Sequence, residues 1–187
     1  MPNADEQVFF WVNGLVGRFE PFDRAVEWVV SDYLVPVSLA LALVGIWFVG
    51  SDRLARQRHQ MGVFVALTAM GLSSLVVFII NALYFRDRPF VDNDIAMLFY
   101  QPTDSSFPSN VVAAAFGISA AVWGVNRRLG TVLLVGATVH GVSRVYAGVH
   151  YPLDILAGAT IGVVVAFLTF RLRNILEPIL VWVIRAA

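Results

Sequence analysis

Five stretches of the chain are long and apolar enough to cross a bilayer. Tyr33 to Gly50, Gln60 to Phe85 and Ser105 to Asn126 contain no charged residue. Leu129 to Ser143 is polar only at His140 and an occasional Ser or Thr. Ile155 to Phe170 is shorter, but its flanking Asp154 and Arg171 can reach the interfaces. A span takes about 20 mostly apolar residues, and lipid admits only segments that satisfy their own backbone groups. The pattern predicts an all-α integral membrane protein, an antiparallel bundle of about five transmembrane helices.

Residues 1–32 follow another rhythm. Phe9, Phe10, Trp11, Leu15, Val16 and Phe19 are interrupted by Asn13 and Arg18, and Phe22, Val26, Val29 and Val30 alternate with Asp23, Arg24 and Glu27. This spacing predicts one or two interfacial amphipathic helices broken at Pro21. Ile175 to Ala187 predicts another. The organisation is then a single membrane domain, 1–187: an amphipathic segment 1–32, a transmembrane core 33–173 and an amphipathic tail 174–187.

Composition agrees. The chain is 58% hydrophobic and only 14% charged, against roughly 25% charged in a soluble domain. It has no cysteine, which excludes disulfides and thiol catalysis. It has no lysine either, so every strong base is an arginine. Acidic and basic residues balance, which gives no reason to expect nucleic acid. Met1 to Gln7 lacks the basic region of a cleavable signal, so the first span is expected to stay in the mature chain.

The arginines set an orientation. Arg53, Arg56, Arg58, Arg127, Arg128, Arg171 and Arg173 all fall on one side of the predicted bundle, which is therefore expected to be cytoplasmic, with the C-terminus. Residues 1–32 carry two arginines against six acidic residues and belong outside, with the loops 86–104 and 144–154.

Three clusters share that outer side. They are Arg86-Asp87-Arg88-Pro89-Phe90, Phe107-Pro108-Ser109-Asn110, and the run from Ser143 to Asp154. Arg86, Arg88 and Arg144 are guanidinium forks suited to phosphate oxygens. Ser109 opens a helix, where free N–H groups and the helix dipole favour an anion. His150 stands just before another helix start, and Asp154 lies one turn on, placed to accept a hydrogen bond from its ring and fix the tautomer. An anion site beside an oriented imidazole is equipment for nucleophilic phosphoryl transfer.

These clusters resemble the three-part signature of the type 2 phosphatidic acid phosphatase superfamily, a family of membrane lipid phosphatases. Its parts read K-x-x-x-x-x-x-R-P, P-S-G-H and S-R-x-x-x-x-x-H-x-x-x-D. The third part is complete in Ser143, Arg144, His150 and Asp154. The resemblance implies His150 as nucleophile, Asp154 as its partner and Arg144 as a phosphate ligand. It further implies phosphate contacts from Arg88, Ser109, Asn110, Arg86, Asn81 and Ser143. It implies no cofactor and no metal, and its partners are a lipid phosphate or diphosphate substrate and membrane lipids. The runs Phe85–Phe90 and Ser106–Asn110 are similar to those of bacterial undecaprenyl-diphosphate phosphatases, which work at the outer face of the plasma membrane.

The sequence departs from the signature twice. Asn81 stands at the lysine position, and Val111 stands at the histidine position expected to protonate the leaving group. Loss of such acid–base help typically costs about 10²–10⁴-fold. A lipid alkoxide needs that proton, because its conjugate acid has a pKa near that of water, about 15.7. A lipid monophosphate, with a pKa of about 6, does not. The departures favour a diphosphate substrate. The alternative is a catalytically impaired relative that binds, senses or transports lipid phosphates.

Overall fold

The computed structural model describes residues 3–172, and the predicted tail 174–187 lies outside them. Eight helices follow in order: α1 (Ala4–Asn13), α2 (Glu20–Val30), α3 (Leu34–Phe48), α4 (Arg53–Leu83), α5 (Pro89–Asp92), α6 (Asn110–Trp123), α7 (Arg127–Tyr146) and α8 (Pro152–Arg171). The described residues are otherwise turns and loops.

Each of the five apolar stretches became a helix, α3, α4, α6, α7 and α8. Three of them, α4, α7 and α8, are long and apolar enough to span alone. The pair α2 and α3, bent by 50°, makes a fourth when taken together. Helix α6 has 14 residues, or about 21 Å at 1.5 Å per residue. That is too short to span, although the apolar stretch it comes from begins at Ser105. Residues 105–109 instead form a loop through Pro108, and α6 starts below it.

Helix α6 is the centre of the bundle, against α4, α7 and α8. Its closest approach is to α8, through Gly158 and Gly162, spaced as in the small-residue seams of membrane helices. A Cβ at Gly158 would come within 2.5 Å of the Ser109 carbonyl oxygen, and one at Gly162 within 2.4 Å of that of Ala113. The first contact matters because Ser109 is a candidate site residue. Gly158→Ala is expected to push the start of α6 away from α8 and lower turnover roughly 10- to 100-fold. Circular dichroism should show helix content kept while activity falls.

The N-terminal segment forms two helices, but the break falls at residues 14–19 rather than at Pro21. Pro21 lies in the first turn of α2, where its missing N–H removes no helical bond. Both helices also send polar side chains inward. Asn13 donates to the carbonyls of Ala96 (2.8 Å) and Tyr146 (2.9 Å). Asp23 accepts from the Tyr146 hydroxyl at 2.6 Å and the Gly17 N–H at 2.9 Å. Residues 1–32 thus pack over the same end of the bundle as the three motif clusters.

Candidate active site

His150 is held by the turn that links α7 to α8. Gly148 makes that turn possible: its φ is +83°, and a Cβ there would meet the Met97 sulfur at 2.8 Å and the Ala96 carbonyl at 2.9 Å. The His150 ring is buried, 3% exposed. Its Nδ1 lies 3.0 Å from the Ser106 carbonyl oxygen. A carbonyl only accepts, so Nδ1 carries the proton and Nε2 keeps its lone pair. Around Nε2 stand the Arg88 guanidinium, with Nη1 at 3.3 Å, and the Ser109 hydroxyl at 3.2 Å. The two groups nearest the free lone pair are therefore both donors suited to phosphoryl oxygens.

Arg88 is 5% exposed and fixed from behind. It donates to the Val149 carbonyl at 3.1 Å, the Asp104 carbonyl at 3.0 Å and the Asp104 carboxylate at 2.9 Å. Ser109 is the N-cap of α6, yet its side chain caps nothing. The N–H groups of Asn110, Val111 and Val112 therefore keep no partner within the helix, and the positive end of the helix dipole lies at Ser109. The Asn110 side chain itself is exposed. Val111 is the second residue of α6 and half-buried, so the position expected to hold an acid presents an isopropyl group.

Arg144, 3% exposed, ends α7. Its Nη1 reaches the Val30 carbonyl at 3.4 Å and the Asp32 carboxylate at 3.5 Å, both long. Its guanidinium covers the Phe99 ring, and its Nε is buried with no partner among the described residues. A buried donor in that condition is costly unless something accepts from it.

Four expectations change. Arg86 does not turn its fork toward His150. Its two terminal nitrogens bind the Asp154 carboxylate at 2.7 Å and the Asp5 carboxylate at 2.8 Å, and its guanidinium stacks on Tyr151. The Ser143 hydroxyl donates back to the His140 carbonyl at 2.7 Å, the usual habit of a helical serine. Asn81 makes no hydrogen bond to the other candidates, and its Oδ1 is buried and unpartnered.

Asp154 is the fourth. Its Oδ2 stands 3.6 Å from His150 Nδ1, beyond a hydrogen bond. The Ser106 carbonyl has taken the ring proton, and the Ser106 hydroxyl donates to Oδ2 at 2.5 Å. Oδ2 also accepts from the Tyr151 N–H at 2.8 Å. Asp154 is fully buried, so these bonds and Arg86 offset its desolvation. It remains near enough to stabilise a positive charge that develops on the ring. Sequence reasoning gave no role to Ser106 or Asp5. Ser106 alone had a signal, one residue before the proline loop.

Burial pushes the His150 pKa down to about 4; Asp154 opposes this, and the Arg88 and Arg144 charges add to it. The ring is therefore neutral at pH 7 and able to attack without first losing a proton. Because the folded value lies below the unfolded value of about 6.5, His150 favours folding fully above pH 6.5. That contribution is lost as pH falls from 6.5 to about 4. In NMR of histidine-labelled protein, the His150 ring should stay neutral through pH 6.5 and titrate only near 4. His140, the one other histidine near this end of α7, is fully buried and donates from Nδ1 to the Val29 carbonyl at 2.8 Å. Its Nε2 then carries no proton to give.

A membrane bundle with a buried imidazole, fixed arginines and an open helix start at one end is equipped to bind a phosphoryl group and attack it. A family model described as the PAP2 superfamily matches residues 62–177. The chain belongs to that superfamily and is a lipid phosphatase integral to the membrane. It is 31% identical to "Undecaprenyl-diphosphatase BcrC" of Bacillus subtilis, over 96% of this chain and 89% of that one. It is 26% identical to an undecaprenyl-diphosphatase of Sulfolobus acidocaldarius, over 87% of this chain and 71% of the other. The fold is similar to that of Aquifex aeolicus LpxE, with a TM-score of 0.68 and 24% identity, over 91% of this chain and 96% of that one. It is also similar to a transmembrane PAP2-type phosphatidylglycerolphosphate phosphatase of Bacillus subtilis, at TM-score 0.64 and 20% identity, over 91% and 85%.

Proposed function

We propose that this phosphatase removes the terminal phosphate of a polyprenyl diphosphate, such as undecaprenyl diphosphate, through a phosphohistidine on His150 at the extracytoplasmic face of the plasma membrane. One observation carries the reading. His150 Nε2 presents a free lone pair between Arg88 and Ser109 at the start of α6, while the acid position beside them is Val111. The site is furnished for attack and for anion binding, and unfurnished for protonating a leaving group.

In the first step the Nε2 lone pair attacks the terminal phosphorus. A P–N bond forms, the bridging P–O bond breaks, and its electron pair leaves with the lipid monophosphate. Arg88, Ser109 and the α6 N–H groups hold the phosphoryl oxygens, and Arg144 Nε supplies a further donor. Asp154 faces the imidazolium side of the ring. In the second step water attacks the phosphorus, the P–N electrons return to Nε2, and inorganic phosphate departs with the water's proton. Phosphoryl transfer through a loose transition state asks little of a base, so the missing histidine is tolerable here as well.

The names of the sequence relatives support the diphosphate, and the arginine distribution supports the orientation. A second reading, a chain that grips lipid phosphates without turning them over, draws on Val111 and Asn81. The fixed His150 tautomer speaks against it. The test is phosphate release from undecaprenyl diphosphate and from phosphatidate, side by side, in the same detergent. The diphosphate should be hydrolysed faster; equal or faster release from phosphatidate overturns the substrate assignment.

A further inference from the structure

The site's nucleophile is backed by a chain of charges that starts in the N-terminal helix. Asp5 of α1 is 8% exposed. One of its carboxylate oxygens accepts from Arg86 Nη2 at 2.8 Å, and the other accepts from the Leu153 N–H at 2.8 Å. Leu153 is in the first turn of α8, one residue before Asp154. Arg86 passes the contact on, from Nη1 to Asp154 Oδ1 at 2.7 Å. The other Asp154 oxygen binds the Ser106 hydroxyl, and the Ser106 carbonyl holds His150 Nδ1. Phe9, one helical turn after Asp5, is fully buried and stacks edge-on against Tyr151, whose ring lies under Arg86 at 4.2 Å.

We infer that Asp5 is a positioning residue of the phosphatase: it sets the Arg86 fork, and through it the Asp154–Ser106 pair that aims His150. The physical reason is a count of partners. Arg86 is half-buried and would bind Asp154 with both arms if Asp154 were its sole anion. Asp154 Oδ2 would then be drawn toward Arg86 and away from Ser106 and Tyr151 N–H. Asp5 occupies the second arm, so Arg86 takes one oxygen of Asp154 and leaves the other for the ring side. By also capping α8, Asp5 ties this arrangement to the helix that carries Asp154. The inference rests on His150 as the nucleophile, and it places α1 within the working site, although α1 lies outside the 62–177 family match.

The test uses full-length protein in detergent, with undecaprenyl diphosphate as substrate. Asp5→Asn keeps an acceptor for the Leu153 N–H but removes the charge that Arg86 requires. It should lower kcat about tenfold with KM changed less than about twofold, as for the loss of an outer partner of a catalytic group. Asp5→Glu should recover most of the activity. Because Asp5 acts through Arg86, the Asp5→Asn/Arg86→Gln double variant should be no slower than Arg86→Gln alone. An Asp5→Asn variant at full kcat, or losses that multiply in the double variant, overturns the inference. A purely structural cap would show normal turnover in the Asn variant and a low melting temperature in Asp5→Ala. His150→Ala runs alongside: if it stays active, the nucleophile reading has failed instead.

Discussion

Replacing His150 with alanine is expected to reduce phosphate release by at least about 10⁴-fold, or about 5.5 kcal/mol of barrier. The ring's lone pair faces Arg88 and Ser109 at the start of α6. Removing it leaves the anion site intact, with no atom to form the P–N bond. KM for the lipid should therefore change far less than kcat. The measurement is steady-state release of inorganic phosphate, with folding checked by melting temperature. His150→Ala retaining more than a few per cent of activity would mean that water attacks the phosphorus directly.

The second large effect runs the other way. Val111→His is expected to raise turnover of phosphatidate about 10²–10⁴-fold while changing diphosphate turnover by less than about threefold. Position 111 is two residues beyond Ser109, on the first turn of α6 and half-buried. An imidazole there would stand beside the leaving oxygen and could protonate an alkoxide. A phosphate leaving group has little use for that proton. Parallel assays of both lipids with both proteins measure the ratio directly. A uniform rise on both substrates would show that the diphosphate also waits for an acid, and leaving-group acidity would no longer account for Val111.

How much of this could be read along the chain depends on how local each feature is. The apolar stretches announced the bundle because the bilayer demands length and apolarity within one segment. Arg88, Ser109 and His150 were legible because each sits at a fixed offset from a proline or a helix start, and folding brings them within 3.3 Å. The partners of Arg86 were not legible, because charge and spacing say that a guanidinium will find an anion, not which one. Its two anions lie 68 and 81 residues away in sequence. Asp5 was invisible for the same reason, being 148 residues from the Leu153 N–H that it accepts from. The reach of Asp154 toward His150 followed helical geometry to within an ångström, and the Ser106 carbonyl, which no side-chain pattern encodes, took the bond. The start of α6 was legible at Ser109, which follows a proline and stands at the N-cap of the helix.

The most direct test of the mechanism is to trap the intermediate. Protein is mixed with undecaprenyl diphosphate radiolabelled in its terminal phosphoryl group, and the reaction is quenched within milliseconds into alkali, where phosphohistidine survives. The mechanism predicts label on the protein, in the peptide containing His150, that appears before free phosphate and is absent from His150→Ala. Free labelled phosphate accumulating at full rate with no label on the protein at any time would contradict it.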